Sequence, residues 1–273
     1  MKKLFLFAVI CCSIVVSCNK QESNLPGVVS HRGFWDTEGS AQNSIFAIQK
    51  AGEINSYGSE FDVNMTSDGV LVVNHDFTYH GYEICETSFD TLRQFTLANG
   101  EQLPTLDQYL EASLAYPDMK LVFELKSHGT PEYEAKAIPA SIEAIRKYGV
   151  EERVEFISFS LEACKEFARL MPQNMVEYLG GEQDPADLKA MGINGIDYHY
   201  SAILKHPEWV QKAHDLGMIC NIWTISTEPR IKWALNMGAD MVTTNNPLLA
   251  KKLIEEFKAN GPFPEEETVV VDD

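Results

Sequence analysis

The chain has 273 residues, of which 45% are hydrophobic and 23% are charged, a balance typical of a globular protein with a sizeable core. Its formal net charge is -18, and its sequence pI is about 4.8. A surface this acidic repels the backbone of DNA or RNA, so we exclude nucleic-acid binding through a basic footprint. A small phosphate-bearing substrate is compatible with this charge where a metal or local cations outweigh the surrounding field.

The first 17 residues predict a lipoprotein signal peptide. Lys2 and Lys3 precede an apolar run over residues 4–16, which is shorter than the about 20 residues that a membrane span requires. The run ends in Val-Val-Ser-Cys, which resembles the lipobox of bacterial lipoproteins, with Cys18 as the acylated residue. We therefore expect an exported protein held in the membrane by an N-terminal lipid anchor. An ordinary secretory signal in which Cys18 is incidental is the alternative.

The remaining chain divides into a tether, one domain and a tail. Residues 18–26 are polar and predict a lipid-anchored tether, residues 27–260 predict the folded domain, and residues 261–273 predict an acidic tail. No shift in composition marks a second domain. The widely spaced cysteines Cys85, Cys164 and Cys220 lack the spacing of a metal site, and we expect free thiols, with one disulfide as the alternative.

Short apolar strands alternate with amphipathic helical stretches through the domain. The expected strands cover residues 28–30, 59–64, 120–126, 154–159, 175–179, 195–198, 218–225 and 241–243. The expected helices cover residues 44–51, 105–115, 133–148, 161–170, 207–216, 228–236 and 247–259. After the turn pair Asp68-Gly69, residues 70–75 predict one further strand that forms a hairpin with strand two.

Eight strands alternating with helices over about 230 residues predict an α/β fold, a (β/α)8 TIM barrel with a short hairpin insertion after strand two. A doubly wound open sheet is the alternative, because periodicity alone does not show whether a sheet closes. The sequence has no Gly-rich dinucleotide fingerprint after the first strand and no P-loop.

Ionisable residues concentrate at the expected strand ends, where barrel enzymes carry their catalytic groups. Glu60 and Asp62 share one face of strand two, and Glu124 and Lys126 share one face of the next strand, because side chains two residues apart point the same way. Three carboxylates in one barrel mouth repel one another unless a cation neutralises them. Oxygen ligands of this kind favour a divalent metal, Mg²⁺ or Ca²⁺.

Two histidines and an arginine lie at neighbouring strand ends. His31 and His75 each stand beside a charged residue, where a general acid and a general base are needed. Arg32 and Lys126 are suited to an anionic phosphate group, Arg32 through its bidentate fork and Lys126 as a point charge. Together with a metal, this set suits phosphoryl transfer.

The ordered motifs resemble those of the glycerophosphodiester phosphodiesterase family. They are His31-Arg32-Gly33, Gln42-Asn43-Ser44, Glu60 with Asp62, Thr66 with Asp68-Gly69, His75-Asp76, Glu124 with Lys126, Ser158-Phe159, Trp223-Thr224 and Gly238-Ala239-Asp240. Each motif is weak alone, but the ordered set is specific. The family usually has a glutamate where this chain has Gln42, which keeps the shape and hydrogen bonding but loses a charge.

The resemblance implies hydrolysis of glycerophosphodiesters to glycerol 3-phosphate and an alcohol. It implies a metal held by Glu60, Asp62 and Glu124, acid and base catalysis by His31 and His75, phosphate binding by Arg32 and Lys126, a glycerol contact from Trp223, and support from Gln42 and Asn43. The segment that carries Trp35, Asp36 and Glu38 is expected to influence leaving-group selectivity.

Two other functions remain open on the sequence. One is a phospholipase-like phosphodiesterase or lyase acting on lysophospholipid or phosphoinositol substrates. The other is a lipoprotein that binds phosphodiesters without turnover, with Gln42 marking lost catalysis.

Overall fold

The computed structural model describes residues 26–268. The expected signal peptide, Cys18, nearly all of the expected tether and the end of the acidic tail lie outside the described residues. Within residues 26–268, no helix is long and apolar enough to cross a membrane.

Strands and helices alternate along the chain. The strands are β1 (Gly27–Ser30), β2 (Gly58–Met65), β3 (Leu71–Val73), β4 (Thr78–Tyr79), β5 (Tyr82–Glu83), β6 (Lys120–Leu125), β7 (Val154–Ser158), β8 (Met175–Tyr178), β9 (Gly195–His199), β10 (Ile219–Trp223) and β11 (Met241–Thr244). The helices are α1 (Ile45–Glu53), α2 (Phe89–Leu92), α3 (Leu106–Ser113), α4 (Pro131–Tyr148), α5 (Leu161–Leu170), α6 (Pro185–Ala190), α7 (Tyr200–Lys205), α8 (Glu208–Asp215), α9 (Glu228–Met237) and α10 (Pro247–Asn260).

Eight parallel strands close into a barrel in the order β1, β2, β6, β7, β8, β9, β10 and β11. Closure comes from β1, which pairs with β2 on one side and with β11 on the other, where Val28 lies opposite Val242. The prediction of a (β/α)8 barrel is confirmed, and the open doubly wound sheet is excluded. All strands run the same way, so their carboxyl ends form one mouth.

Several helices begin where a short polar side chain caps them. Ser44 accepts a hydrogen bond from the backbone of Ala47 at the start of α1, and Thr105 forms a capping box with Gln108 at the start of α3. Their apolar faces pack on the outside of the barrel, as Tyr109 does against Phe61. Within the described residues, Cys85, Cys164 and Cys220 are free thiols.

The predicted hairpin after strand two is confirmed, and it opens a longer insertion. β3 runs antiparallel to β2, with Val63 opposite Val73. The chain then forms the β4–β5 hairpin and α2 before it returns to the barrel at α3. Apolar side chains give this insertion a small core of its own, made of Val72, Tyr79, Ile84, Leu92 and Leu103. The insertion follows the carboxyl end of β2 and therefore stands beside the barrel mouth.

The barrel interior combines aliphatic and acidic side chains. Val29, Val122, Ile157, Leu179 and Met241 form an apolar cluster inside the barrel. The buried acids Glu155, Glu177 and Asp197 lie on the adjacent strands β7, β8 and β9.

Glu177 is the most enclosed of these acids. Neither of its carboxyl oxygens has a hydrogen-bond partner in the described part of the chain. A Cβ at Gly195 would lie 2.5 Å from Glu177 Cγ, so only glycine leaves space for this side chain. Burial, and then the neighbouring charges of Asp197 and Glu155, raise the pKa of Glu177 well above its ordinary value.

We expect Glu177→Gln to change the pH dependence of stability. Because the pKa of Glu177 is raised in the folded state, the folded state binds this proton more tightly than the unfolded state does. The stability that this proton provides is complete below the ordinary carboxyl pKa and is lost as the pH rises through the folded pKa. An amide has no such proton to lose, so the variant should unfold about 3 °C or more above the parent at pH 8 and near it at pH 4. Thermal unfolding at both pH values measures this, with the exposed Glu143→Gln as the matched control. An equal shift at both pH values would contradict it.

Candidate active site

The barrel mouth brings the predicted site residues of β1, β2 and β6 together. Glu60 and Asp62 point inward from β2, and Asp62 lies directly opposite Glu124 on β6. Lys126 follows the last residue of β6, and His31 follows the last residue of β1. This arrangement arises because β1, β2 and β6 are consecutive strands of the closed barrel.

Glu60, Asp62 and Glu124 form one buried carboxylate cluster. Each offers an oxygen, and these oxygens all lie within 4.8 Å of one another. The three residues are 3%, 1% and 8% exposed, so water screens their repulsion poorly. Glu60 Oε1 has no hydrogen-bond partner among the described residues.

One lysine partly compensates this negative charge. Lys126 Nζ lies 2.7 Å from Glu124 Oε1 and 3.3 Å from Asp62 Oδ1. Burial, followed by the charge of Asp62, still raises the pKa of Glu124 to about 8. Burial, followed by the charges of Asp62 and Glu124, also raises the pKa of Glu60. The cluster holds more negative charge than Lys126 balances, so its residues fit a hard divalent cation.

Asp62 is kept ionised by its neighbours. Burial alone would raise its pKa, but Lys126, His75 and the Asn43 amide outweigh burial and lower it. Asn43 Nδ2 donates to Asp62 Oδ2 at 2.8 Å, and Asn43 Oδ1 accepts from the Asp62 backbone at 3.2 Å. Asn43 has φ of +60°, a left-handed conformation that asparagine tolerates better than most residues. Both ends of the Asn43 amide therefore contact Asp62.

Arg32 stands in a strained turn above the carboxylates. It has φ of +57°, which is rare for a residue with a long side chain, and its backbone N–H donates to Glu60 Oε2 at 2.7 Å. Arg32 Nη1 donates to Gln42 Oε1, which orients the guanidinium group. Arg32 Nε lies 3.9 Å from Asp62 Oδ2, and because Gln42 is neutral, the Nη1 end of the guanidinium faces no carboxylate there and can bind an anion.

His31 is held in one tautomer. Its Nδ1 lies 2.7 Å from Asn245 Oδ1, and Trp35 Nε1 donates to the same oxygen at 3.2 Å. An indole N–H only donates, so that oxygen is an acceptor and His31 Nδ1 carries the proton. Nε2 then faces Glu60 Oε2 at 4.0 Å. Burial, and then the charge of Arg32, lowers the pKa of His31 to about 4, so its ring is neutral at pH 7.

His75 has the opposite surroundings. Its side chain is 38% exposed, against 17% for His31, and its Nδ1 lies 2.7 Å from the Asp76 carboxylate. A carboxylate only accepts, so Asp76 accepts a hydrogen bond from His75 Nδ1–H and orients the ring. The two histidines thus differ in solvation and in partner, as an acid and a base should.

Trp223 lies across the mouth from β2 and forms an aromatic wall. Its Nε1 donates to the backbone oxygen of Asp197 at 2.8 Å, which fixes the indole. The indole packs edge-on against Phe159 at 5.7 Å and against His199 at 5.0 Å. Phe159 is 49% exposed, so the wall offers apolar surface to a ligand.

Two residues that orient His31 were not predicted as site residues. They are Asn245, which contacts His31, and Trp35, which contacts the same Asn245 oxygen. Asn245 directly follows β11, and a polar residue at a strand end was the available signal. Its contact with His31 joins residues 214 positions apart, so it depends on β11 pairing with β1.

The comparisons with known proteins identify the family of this chain. The family model described as "Glycerophosphoryl diester phosphodiesterase family" matches residues 31–249. A glycerophosphodiester phosphodiesterase of Caldanaerobacter subterraneus is 27% identical over 239 residues, which cover 81% of this chain and 94% of the relative.

Solved structures give the same result. The crystal structure of a glycerophosphodiester phosphodiesterase from Parabacteroides distasonis is 44% identical, with a TM-score of 0.84 over 86% of this chain and 98% of the other. A phosphodiesterase of Oleispira antarctica, solved with the product sn-glycerol 3-phosphate, is 25% identical, with a TM-score of 0.74 over 85% of this chain and 97% of the other. This chain belongs to the glycerophosphoryl diester phosphodiesterase family.

Proposed function

We propose that this protein hydrolyses glycerophosphodiesters to glycerol 3-phosphate and an alcohol with the help of a divalent metal, by acid and base catalysis from two histidines. Membership of the family makes the chain a glycerophosphodiester phosphodiesterase. The observation that carries the finer proposal is that His31, with a fixed tautomer, and the positive Arg32 surround one buried carboxylate cluster. The product bound in the Oleispira antarctica relative supports glycerol 3-phosphate as the product here.

The cations of the mouth would bind the phosphodiester. Glu60, Asp62 and Glu124 are the residues that would hold Mg²⁺ or Ca²⁺, which supplies positive charge that neutralises the phosphate. Arg32, oriented by Gln42, would bind a phosphate oxygen, and Lys126 would add a second positive charge. Trp223 would lie against the glycerol carbons.

His31 is suited to be the general base. Its Nε2 carries the free electron pair, because Asn245 fixes the proton on Nδ1. Nε2 would take the proton of the attacking oxygen, which belongs either to water or to the neighbouring glycerol hydroxyl. That oxygen bonds to phosphorus as the bond to the leaving alcohol breaks.

His75 is suited to be the general acid. Asp76 orients the ring through Nδ1, and the side chain of His75 is 38% exposed, so solvent can exchange protons with it. Its proton would pass to the departing alcohol oxygen. If the glycerol hydroxyl attacks, a cyclic phosphate forms first, and water then opens it to glycerol 3-phosphate.

A lipid anchor at Cys18 would favour soluble diesters over intact membrane lipids as substrates. Pro26 precedes the amino end of β1 and therefore lies at the end of the barrel opposite the mouth. We propose that Cys18 carries the lipid anchor of an exported protein, and the nine residues 18–26 then reach about 30 Å at most. Such a tether would keep the mouth turned away from the anchoring membrane.

The products separate this function from its rivals. We expect ³¹P NMR to show glycerophosphocholine converting to glycerol 3-phosphate, with vesicle-bound lysophosphatidylcholine left intact. Release of phosphocholine, or cleavage of the lysolipid alone, would favour the lipid-cleaving alternative. Binding of the diester without turnover would favour the binding-only alternative.

A substrate with an activated leaving group distinguishes the general base from the general acid. His31→Ala and His75→Ala should each lower kcat on glycerophosphocholine by about 10²- to 10⁴-fold, because each removes a proton-transfer group. With the p-nitrophenyl ester of glycerol 3-phosphate, whose leaving group departs without a proton, His75→Ala should recover most of its rate and His31→Ala should not. Equal recovery of both variants would contradict the assignment. His206→Ala is the control, because His206 is half-exposed and contacts Glu208 and Trp209 rather than the carboxylate cluster.

A further inference from the structure

A cleft of about 790 Å³ opens on the insertion side of the mouth. It is lined by His75, Asp76, Phe77, Thr78, Glu83, Lys126, Ser127, His128 and Gly129. His75 is the proposed acid that protonates the departing alcohol. The alcohol part of the substrate must therefore lie beside His75, and this cleft is the space beside it.

Phe77 gives the cleft an aromatic wall. Its side chain is 45% exposed, although most large apolar side chains of the protein are buried. The Phe77 ring packs edge-on against His128, with the ring centroids 4.8 Å apart. This contact limits the rotation of the Phe77 ring at the edge of the cleft. An exposed aromatic face attracts organic cations through its negative π surface.

The charged side chains of the cleft are paired, except for one carboxylate. Lys126 Nζ is paired with Glu124 and Asp62 and lies 5.9 Å from the centre of the Phe77 ring, and His75 is paired with Asp76. Glu83 on β5 lines the cleft with an exposed side chain and forms no ion pair within residues 26–268. An anionic group near an aromatic face suits a cation and disfavours an anion.

His128 adds no charge to the cleft, because it is neutral. Its Nε2 lies 2.8 Å from Asn64 Oδ1, and Asn64 Nδ2 donates to the backbone oxygen of Asn74, so Asn64 Oδ1 is the acceptor. Burial and the charge of Lys126 lower the pKa of His128. The cleft thus combines two aromatic rings with one unpaired carboxylate.

We propose that this cleft is the leaving-group subsite and that it selects diesters whose alcohol carries an ammonium group, quaternary or primary. The proposal rests on the proposed function, since His75 identifies the leaving-group side. The ammonium group lies against the Phe77 ring and near the Glu83 carboxylate. Trp35 does not line this cleft, because its Nε1 donates a hydrogen bond to Asn245 Oδ1 beside His31.

The test compares kcat/KM on glycerophosphocholine with kcat/KM on the uncharged-headgroup diester glycerophosphoglycerol. Phe77→Leu and Glu83→Gln should each lower the choline-to-glycerol ratio by about three- to five-fold, because each removes one attraction for the cation. Glu132→Gln, an exposed acid that does not line the cleft, should leave the ratio unchanged. An unchanged ratio in both variants, or an equal fall on both substrates, would overturn the proposal.

A binding measurement tests the subsite even if the protein does not hydrolyse these diesters. If the parent protein hydrolyses neither diester, the proposed function fails, and choline itself becomes the probe. NMR titration should then show choline binding that Phe77→Leu and Glu83→Gln weaken and Glu132→Gln does not. No choline binding to the parent protein would overturn the subsite.

Discussion

The repulsion among Glu60, Asp62 and Glu124 is the constraint on which the rest of the site depends. Buried carboxylates cost several kcal/mol each unless charge and hydrogen bonds compensate them. The surrounding residues are arranged to do this: Lys126 contacts two of the three carboxylates, the Arg32 backbone donates to Glu60, and Asn43 donates to Asp62. The compensation is incomplete, since burial and mutual repulsion still raise the pKa of Glu124 and of Glu60. Because the carboxylate cluster lacks compensating positive charge, it suits a bound divalent metal, which together with Arg32 and Lys126 would bind phosphate.

Closure of the barrel connects this cluster to the proposed base. Because β1 pairs with both β2 and β11, His31 stands between Glu60 and Asn245, although these two residues are 185 positions apart in the chain. Asn245 and Trp35 fix the His31 tautomer without touching the carboxylates. The left-handed turn at Arg32 keeps its backbone N–H on Glu60, and strain of this kind persists where the surrounding structure holds it. The insertion after β2 contributes His75 and Phe77, so proton donation and the proposed headgroup contact come from one element.

Much of this arrangement could be predicted from the sequence, because period-two and helical patterns place the strands and ionisable residues mark their ends. The carboxylate cluster followed from residues two apart on adjacent strands. Closure did not follow, because the pairing of β1 with β11 is a contact between the ends of the chain. The role of Asn245 was hidden for the same reason. The short helices α6 and α7 carry too few turns for a periodic signal. The interior acids Glu155, Glu177 and Asp197 looked like ordinary strand residues, because nothing local shows that all three are buried inside the barrel.

The most direct measurement of the central claim is metal dependence of glycerol 3-phosphate release by a form of the protein that lacks residues 1–18. The account predicts that a chelator abolishes release from glycerophosphocholine, that excess Mg²⁺ or Ca²⁺ restores it, and that Asp62→Asn prevents restoration. Calorimetric titration should show one divalent ion bound per chain, with binding lost in the same variant. Turnover at an undiminished rate in chelator would contradict the account, because the carboxylate cluster would then have another role.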